Sequence, residues 1–251
     1  MFTVANIEFL RRRFEKPNSY YGPAGKAPQL SLIRIEEDLI NGRGQYQFDL
    51  KKKIAPNSCE VGLKRNDLFI TCAMGIATRI EDEDHPNIYV PNFSPQIADT
   101  TTSGSAVTVN VPGFQTNDIM ALYNGKIYIG TGNIVNFEDL PTSLFLHQQS
   151  DDTTIIPTGK AIRNKTFNFE NELRTMAEEI VLAGTQDHKI EVTFPTYAGA
   201  DYSAAQAKDA NGDVISKFKT KIVLLILGYR IVDGTSNKAQ DDPNNPYAPF
   251  I

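Results

Sequence analysis

The sequence predicts an all-β fold, a β-sandwich of roughly nine or ten strands, and three observations favour it. Apolar and polar residues alternate from residue 29 onward, for example at Tyr46, Phe48 and Leu50. A longer apolar run, residues 68–76, is typical of a strand buried on both faces, and residues 221–232 are predicted to form a further strand. Turn-forming Gly, Asn, Asp and Pro separate the runs, so an architecture of alternating strands and helices is disfavoured.

The amino-acid composition is that of a folded globular protein. The 251 residues are 41% hydrophobic and 22% charged, close to the values of ordinary globular domains. Length alone leaves one large β domain and two small ones both open. With 30 acidic and 25 basic residues the net charge is −5, so the surface as a whole is not expected to attract nucleic acid or anionic lipid.

Residues 1–28 are predicted to form an N-terminal helical arm. Val4, Ile7, Leu10 and Phe14 fall on one helical face, and a turn-rich stretch separates this helix from the β domain at residues 29–234. The arm carries three consecutive basic residues that are candidates for contact with nucleic acid or lipid head groups: Arg11, Arg12 and Arg13. The alternative interpretation is that these three arginines lie on a solvated face and contact neither nucleic acid nor lipid.

Residues 235–251 are predicted to form an extended C-terminal arm, because its prolines exclude a helix or a central strand. Apolar residues at its end favour docking in a groove of a neighbouring subunit, with a frayed terminus as the alternative. The candidate contact residues are Pro243, Pro246, Tyr247, Pro249, Phe250 and Ile251.

Within the β domain we expect a hairpin of residues 30–35 and 46–50 around the turn at residues 41–44. Further strands are predicted at residues 106–111, 126–129 and 189–194. One internal helix is predicted from apolar residues at helical spacing, followed by Gly184 as a cap. These apolar residues are Leu173, Met176, Ala177, Ile180 and Val181. Long loops are expected at residues 81–104, 146–166 and 196–219.

No pattern in the chain predicts catalysis. The histidines, His85, His147 and His188, lie in no catalytic motif, so we expect no enzyme, no catalytic residue and no cofactor. Cys59 and Cys72 lack metal-ligand spacing and are predicted to be free thiols. Gly130-Thr131-Gly132 is interpreted as a tight turn rather than a dinucleotide motif.

Two other charged runs are weaker candidate sites. Four consecutive acids offer oxygen ligands for a cation, but a solvated patch is the favoured interpretation and no metal site is predicted. These weak candidates are Glu81, Asp82, Glu83 and Asp84. Lys51, Lys52 and Lys53 are interpreted as a solvated face.

Several segments together resemble the major capsid (coat) proteins of small tailless bacteriophages. They are Gln45-Tyr46-Gln47-Phe48-Asp49-Leu50, Lys64-Arg65-Asn66-Asp67-Leu68-Phe69-Ile70, Tyr123-Asn124-Gly125-Lys126-Ile127-Tyr128, Ile190-Glu191-Val192-Thr193-Phe194-Pro195 and residues 222–229. The resemblance implies a jelly-roll subunit with terminal arms that assembles into an icosahedral shell around a genome. The alternative is a compact double jelly roll, but about ten strands fit one elaborated roll better.

The resemblance also implies partners and a location. The chain would associate with itself as a trimer or higher oligomer within a lattice and with other virion proteins. Its N-terminal arm would reach the genome or an internal membrane. It would be made and assembled in the host cytoplasm and reside in the virion. The longest apolar run, residues 222–227, is far shorter than the roughly 20 residues of a membrane-spanning helix, so we expect a soluble protein.

Two rival functions stay open. A β-sandwich binding module, such as a spike or receptor-binding protein, would recognise carbohydrate or a protein through its loops. Tyr20, Tyr21, Tyr197 and Tyr202 would then supply the aromatic platform. An enzyme that uses two carboxylates from separate strands is the weaker rival.

Overall fold

The computed structural model describes most of the predicted β domain. The described residues are 28–54, 58–82, 96–97, 114–115, 117–146, 153–155, 161–163, 173–176, 179–198, 200, 202, 207–208, 214–216 and 218–235. The predicted N-terminal helix, the strand at residues 106–111 and the extended C-terminal tail lie outside the described residues.

The described residues contain fifteen strands and two 3-10 helices. The strands are β1 (Gln29–Asp38), β2 (Gln45–Phe48), β3 (Leu68–Asp82), β4 (Gln96–Ile97), β5 (Phe114–Gln115), β6 (Lys126–Thr131), β7 (Ile134–Pro141), β8 (Thr153–Ile155), β9 (Ala161–Arg163), β10 (Arg174–Thr175), β11 (Val181–Ala183), β12 (His188–Thr193), β13 (Ala207–Lys208), β14 (Val214–Ser216) and β15 (Phe218–Ile231). The 3-10 helices span Asn117–Asn124 and Thr142–Phe145.

Nine strands form two antiparallel sheets. The first sheet has the order β1-β15-β3, and both β10 and β11 pair with the far side of β3. The second sheet has the order β2-β12-β6-β7. The remaining strands make three two-stranded ribbons, β4 with β5, β8 with β9 and β13 with β14.

The strand order is that of a jelly roll. When β10 and β11 are taken as one interrupted strand, eight strands remain and the chain crosses between the sheets at nearly every connection. In the described part of the two large sheets, with β10 and β11 counted as one strand, β6 and β7 are the one consecutive pair within a sheet; they are joined by the turn at Gly132, which has a positive φ of 55°. This double Greek-key order confirms the predicted all-β, jelly-roll-like sandwich. One roll accounts for both sheets in the described part of the chain.

The predicted hairpin of the first two strands is wrong. β1 pairs with β15 and β2 pairs with β12, so the turn at residues 41–44 carries the chain from one sheet to the other. Ile35 and Phe48 are both fully buried in the core between the sheets. Alternation of apolar residues identifies each strand, but it is the same whether two strands lie side by side or face to face.

The predicted internal helix is also wrong, because this segment forms the edge of the first sheet. Arg174 and Thr175 pair with Met74 and Ala73, and Val181 pairs with Ile70. Beside these pairs, the amide of Met176 donates to the carbonyl oxygen of Cys72 at 2.9 Å, and the Thr71 hydroxyl donates to that of Ile180 at 2.9 Å. Tertiary pairing with β3 therefore overrides the helical spacing of the apolar residues.

Two other boundaries differ from prediction. Strand β7, over Ile134–Pro141, is absent from the prediction, although Gly132-Asn133 after β6 is a two-residue turn of hairpin type. Strand β3 continues to Asp82, so Glu81 lies in a strand rather than in a loop. The tight turn expected at residues 130–132 lies further along the chain, because Gly130 and Thr131 end β6 and the turn is at Gly132-Asn133.

The core between the sheets is filled by apolar side chains. Its largest cluster includes Ile33, Ile35, Tyr46, Phe48, Leu50, Phe69, Ile76, Ile127, Ile190, Val192, Ile222 and Leu224. A cavity of about 10 Å³ between Met74, Met176 and Ile226 has room for at most one water molecule. Neither cysteine forms a disulfide; Cys72 is buried and Cys59 is partly buried. In the described part of the chain no helix is long and apolar enough to cross a membrane.

Candidate assembly surface

The sandwich has two unlike ends. At one, which we name the turn end, the connections over residues 132–133 and 184–187 are short and hydrogen-bonded to each other, with the amide of Gly132 donating to the carbonyl oxygen of Asp187 at 2.9 Å. The turn end also holds the connection from β2 to β3, residues 49–67. At the other end, the loop end, β3, β7 and β12 finish, and long stretches of sequence separate each from the next strand of the sandwich. Long connections of this kind often make contacts with other molecules.

The loop end exposes apolar side chains. Ile40 is 51% exposed, Leu144 48% and Tyr197 60%. By contrast, Tyr202 is buried in the core and its hydroxyl hydrogen-bonds to that of Thr196, so it does not belong to an exposed aromatic platform. Tyr20 and Tyr21 lie outside the described residues. Of the four tyrosines predicted for sugar recognition, Tyr197 is the one that the structure places at the surface.

The outer face of the first sheet holds a buried ionic network. Arg79 donates two hydrogen bonds to the carboxylate of Glu36, at 2.5 and 3.1 Å, and one to Glu81 at 3.0 Å. The side chain of Arg79 is 1% exposed and that of Glu36 is 2% exposed. Burial of this kind makes each charge depend on its partners, because an unpaired ion in a protein interior is costly.

Lysines from β15 complete the network. The ammonium group of Lys221 lies 3.0 Å from the Glu81 carboxylate and 3.4 Å from that of Asp38, and Lys219 lies 3.2 Å from Glu81. Arg34 also pairs with Glu36, at 2.6 Å. Four cationic and three anionic side chains from β1, β15 and β3 therefore meet here, which lets the sheet bury charge on this face.

The pKa shifts follow from this geometry. Burial raises the pKa of Glu81, but hydrogen bonds from Lys221 and Lys219 and the charge of Arg79 outweigh it, so the pKa lies below its ordinary value. Burial lowers the pKa of Lys221, and the carboxylates of Glu81, Asp38 and Glu36 outweigh that and raise it. Both groups are thus held in their charged forms.

The acidic run considered as a cation site divides at the end of β3. The carboxylate of Glu81 is occupied by three basic side chains, and Asp82 is the last residue of the strand. Glu83 and Asp84 lie outside the described residues. Among the residues that the structure describes, no group of three or more His, Cys, Asp or Glu side chains is arranged to hold a metal ion.

The second sheet is polar and solvated on its outer face. Gln45 donates to the Glu191 carboxylate at 2.8 Å, and Lys189 pairs with Glu191 at 3.1 Å. The Lys189 ammonium also lies 5.2 Å from the centre of the Tyr128 ring. Lys189 is 54% exposed, in contrast to the buried charges of the first sheet. Exposed pairs of this kind contribute little to stability.

The sheets also differ at their edges. In the first sheet, Val61 exchanges two backbone hydrogen bonds with Arg34 and so covers part of the β1 edge, and the opposite edge is interrupted between β10 and β11. In the second sheet, β2 and β7 are the outermost strands among the described residues. Ile134 and Val135 of β7 are each 54% exposed. Such an edge offers backbone donors and acceptors to another strand.

The other predicted residues occupy ordinary positions or fall outside the described part. Lys51 pairs with Asp187 at 3.1 Å and Lys52 with Glu37 at 3.0 Å, so two of the three lysines have acidic partners in the chain. Arg11, Arg12, Arg13, His85 and His147 lie outside the described residues, as do the tail residues Pro243, Pro246, Tyr247, Pro249, Phe250 and Ile251.

The side chain of His188 forms two contacts at the turn end. Its Nε2 lies 2.7 Å from the carbonyl oxygen of Ala183, to which it must donate, and its Nδ1 lies 3.3 Å from the Thr131 hydroxyl. Burial lowers the pKa of His188, and the hydrogen bond to Ala183 only partly opposes this. The side chain links β12 with the turn before it and with the end of β6, a structural role.

Sequence reasoning missed the ionic network. A signal was present, because Arg79 and Glu81 continue directly from an apolar run and Glu36 follows the apolar residues of β1. What the sequence lacks is the register that places these side chains beside Lys221. Comparisons of the chain with protein-family models, with curated proteins and with solved structures yield no match.

Proposed function

We propose that this chain is a coat-type structural subunit, which assembles with copies of itself into an icosahedral virion shell around a genome. The observation that carries the proposal is the jelly-roll strand order, in which β3, β7 and β12 finish at one end and long stretches of sequence separate each from the next strand of the sandwich. A shell subunit needs a stiff sandwich that fixes the positions of contact loops. The step from fold to function is an analogy, since jelly rolls also occur in lectins and cupins.

Packing supports a structural role over recognition of a ligand inside the roll. The space between the sheets is filled by residues such as Tyr46, Phe48 and Phe69, and the 10 Å³ cavity is too small for a substrate. The exposed apolar residues at the loop end, Ile40, Leu144 and Tyr197, are the kind of surface that packs against another protein.

The proposal is tested by electron microscopy and sedimentation velocity on the purified full chain over a concentration series. We expect closed particles, or discrete oligomers that grow into them as concentration rises. A species that stays monomeric at all concentrations overturns the proposal. Deletion of residues 241–251 tests the predicted tail contact, because loss of particles is expected if the tail locks neighbouring subunits.

A binding module is the second candidate, and the exposure of Tyr197 favours it. An exposed tyrosine ring is suited to stacking on a sugar or packing on a protein. A glycan array discriminates the two functions. Binding that is lost in Tyr197→Ala, on a chain that stays monomeric, would favour the module over the coat subunit.

A further inference from the structure

The two outer strands of the second sheet are suited to pairing with each other in different copies of the chain. All neighbours in this sheet are antiparallel, so β2 and β7, at opposite edges of four strands, run in opposite directions. A second copy in the same orientation therefore presents its β2 antiparallel to the β7 edge of the first. Such a head-to-tail contact repeats and generates rings or extended arrays.

The charges along the two edges match in this arrangement. At the loop end, β7 carries the exposed acids Glu138 and Asp139, and β2 is preceded by the exposed Arg43. Asp139 already pairs with Lys126 at 2.7 Å, which leaves Glu138 as the acid available to another copy. Arg43 is held at the β2 edge, since its Nε donates to the carbonyl oxygen of Gln45 at 2.7 Å and its guanidinium lies 4.8 Å from the Tyr46 ring centre.

The turn end of the same pairing is apolar on one side. With Glu138 opposite Arg43, the antiparallel register places Ile134 opposite the exposed Gln47 and Val135 opposite Tyr46, so both exposed apolar residues lie against β2. A pairing of β7 with β7 would instead offer the exposed Glu138 no basic side chain on the facing strand.

We propose that the second sheet continues from copy to copy, with β7 of one subunit pairing antiparallel to β2 of the next and Glu138 facing Arg43 of that neighbour. The proposal deepens the coat function and rests on it for the existence of a self-contact. The two contact surfaces are the β7 edge and the β2 edge, and each binds a second copy of this chain.

Charge reversal tests the pairing. Arg43→Glu and Glu138→Arg should each raise the apparent dissociation constant of self-association by about tenfold or more, measured by sedimentation velocity, because each places like charges opposite one another. The double variant should return to within about threefold of the original value. Lys64→Glu, which reverses an exposed charge outside both edges, is the matched control and should change nothing.

Mixing gives a stronger test, because the contact is head-to-tail. In an equimolar mixture of the two single variants, the glutamate introduced by Arg43→Glu meets the arginine introduced by Glu138→Arg. At the next contact along the array, the unchanged Arg43 of the second variant meets the unchanged Glu138 of the first. Association should therefore recover in the mixture, although neither variant associates well alone. Denaturation midpoints equal to that of the unchanged chain establish that the variants are folded.

The outcomes separate the two proposals. If the chain forms particles and neither single variant weakens them, the edge pairing is wrong and the coat function stands. If the single variants weaken association but the double variant and the mixture do not restore it, the pairing is likewise wrong. A strictly monomeric unchanged chain overturns the coat function, and this pairing with it.

Discussion

The two sheets of the sandwich bury their surfaces differently. In the first sheet, β3 spans 15 residues and β15 spans 14, and apolar residues such as Ala77 and Val223 on its outer face are as buried as those in the core. In the second sheet the strands are shorter and the outer face carries solvated polar residues such as Lys189. In a sheet that is buried on both faces, a charged side chain is stable only when oppositely charged side chains surround it. In a sheet with one solvated face, water stabilises each charged side chain by itself.

The largest effect is expected from removal of Arg79. Arg79→Met leaves the carboxylates of Glu36 and Glu81 buried with fewer partners, so we expect a loss of about 3–5 kcal/mol in the free energy of unfolding, measured by chemical denaturation. The matched control in the second sheet is Lys189→Met, which removes an exposed pair with Glu191 and should change stability by less than about 0.5 kcal/mol. Equal losses in the two variants would contradict the contrast between the sheets.

Two glycine substitutions, one in each sheet, are expected to reduce stability by an intermediate amount. Gly228 lies where the pairing of β15 with β3 shifts register, and a Cβ there would lie 2.2 Å from the carbonyl oxygen of Ile70. Gly228→Ala should therefore cost about 1–3 kcal/mol, because backbone must move to relieve the clash.

Gly132, in the hairpin of the second sheet, is restricted by conformation instead of by space. Its φ is +55° and a Cβ would have no neighbour within 4 Å. Gly132→Ala should cost about 1 kcal/mol, and Gly132→Asn should recover part of that because asparagine tolerates a left-handed backbone. Thermal unfolding of the variants checks the order, and a Gly228→Asn variant more stable than Gly228→Ala would count against the steric explanation.

The smallest effect concerns pH and the turn end. Since burial lowers the pKa of His188, the folded protein favours the neutral ring. The resulting stability is present above the ordinary pKa of about 6.5 and is lost as pH falls through the lower folded value. Lys51 and Asp187 are the charged groups that act on the ring.

His188→Gln should keep a donor for Ala183 and remove this titration. We expect the unfolding midpoint of the variant to fall less than that of the unchanged chain between about pH 7.5 and about pH 5. Acidic residues titrate in both proteins, so the difference between them isolates His188. Parallel pH profiles would show that folding does not lower the pKa of His188.

Much of the sheet structure could be predicted from local pattern. The alternation at Tyr46 and Phe48 and the apolar runs around Ile70 and Leu224 identify β2, β3 and β15, because side chains on successive strand residues point to opposite faces. The prediction for residues 173–181 is wrong because apolar residues spaced for a helix can also line the interrupted edge of a sheet. The ionic network could not be predicted, since its partners come from three strands distant in sequence.

By itself, the sequence determined that the protein is a β-sandwich with turns at particular residues, because alternation and turn chemistry act over a few neighbouring positions. Tertiary structure decided the rest: which strands pair, which face each sheet buries, and that Glu36, Arg79 and Lys221 meet. These are properties of register between distant strands, and free energy is gained there only when the whole roll has closed.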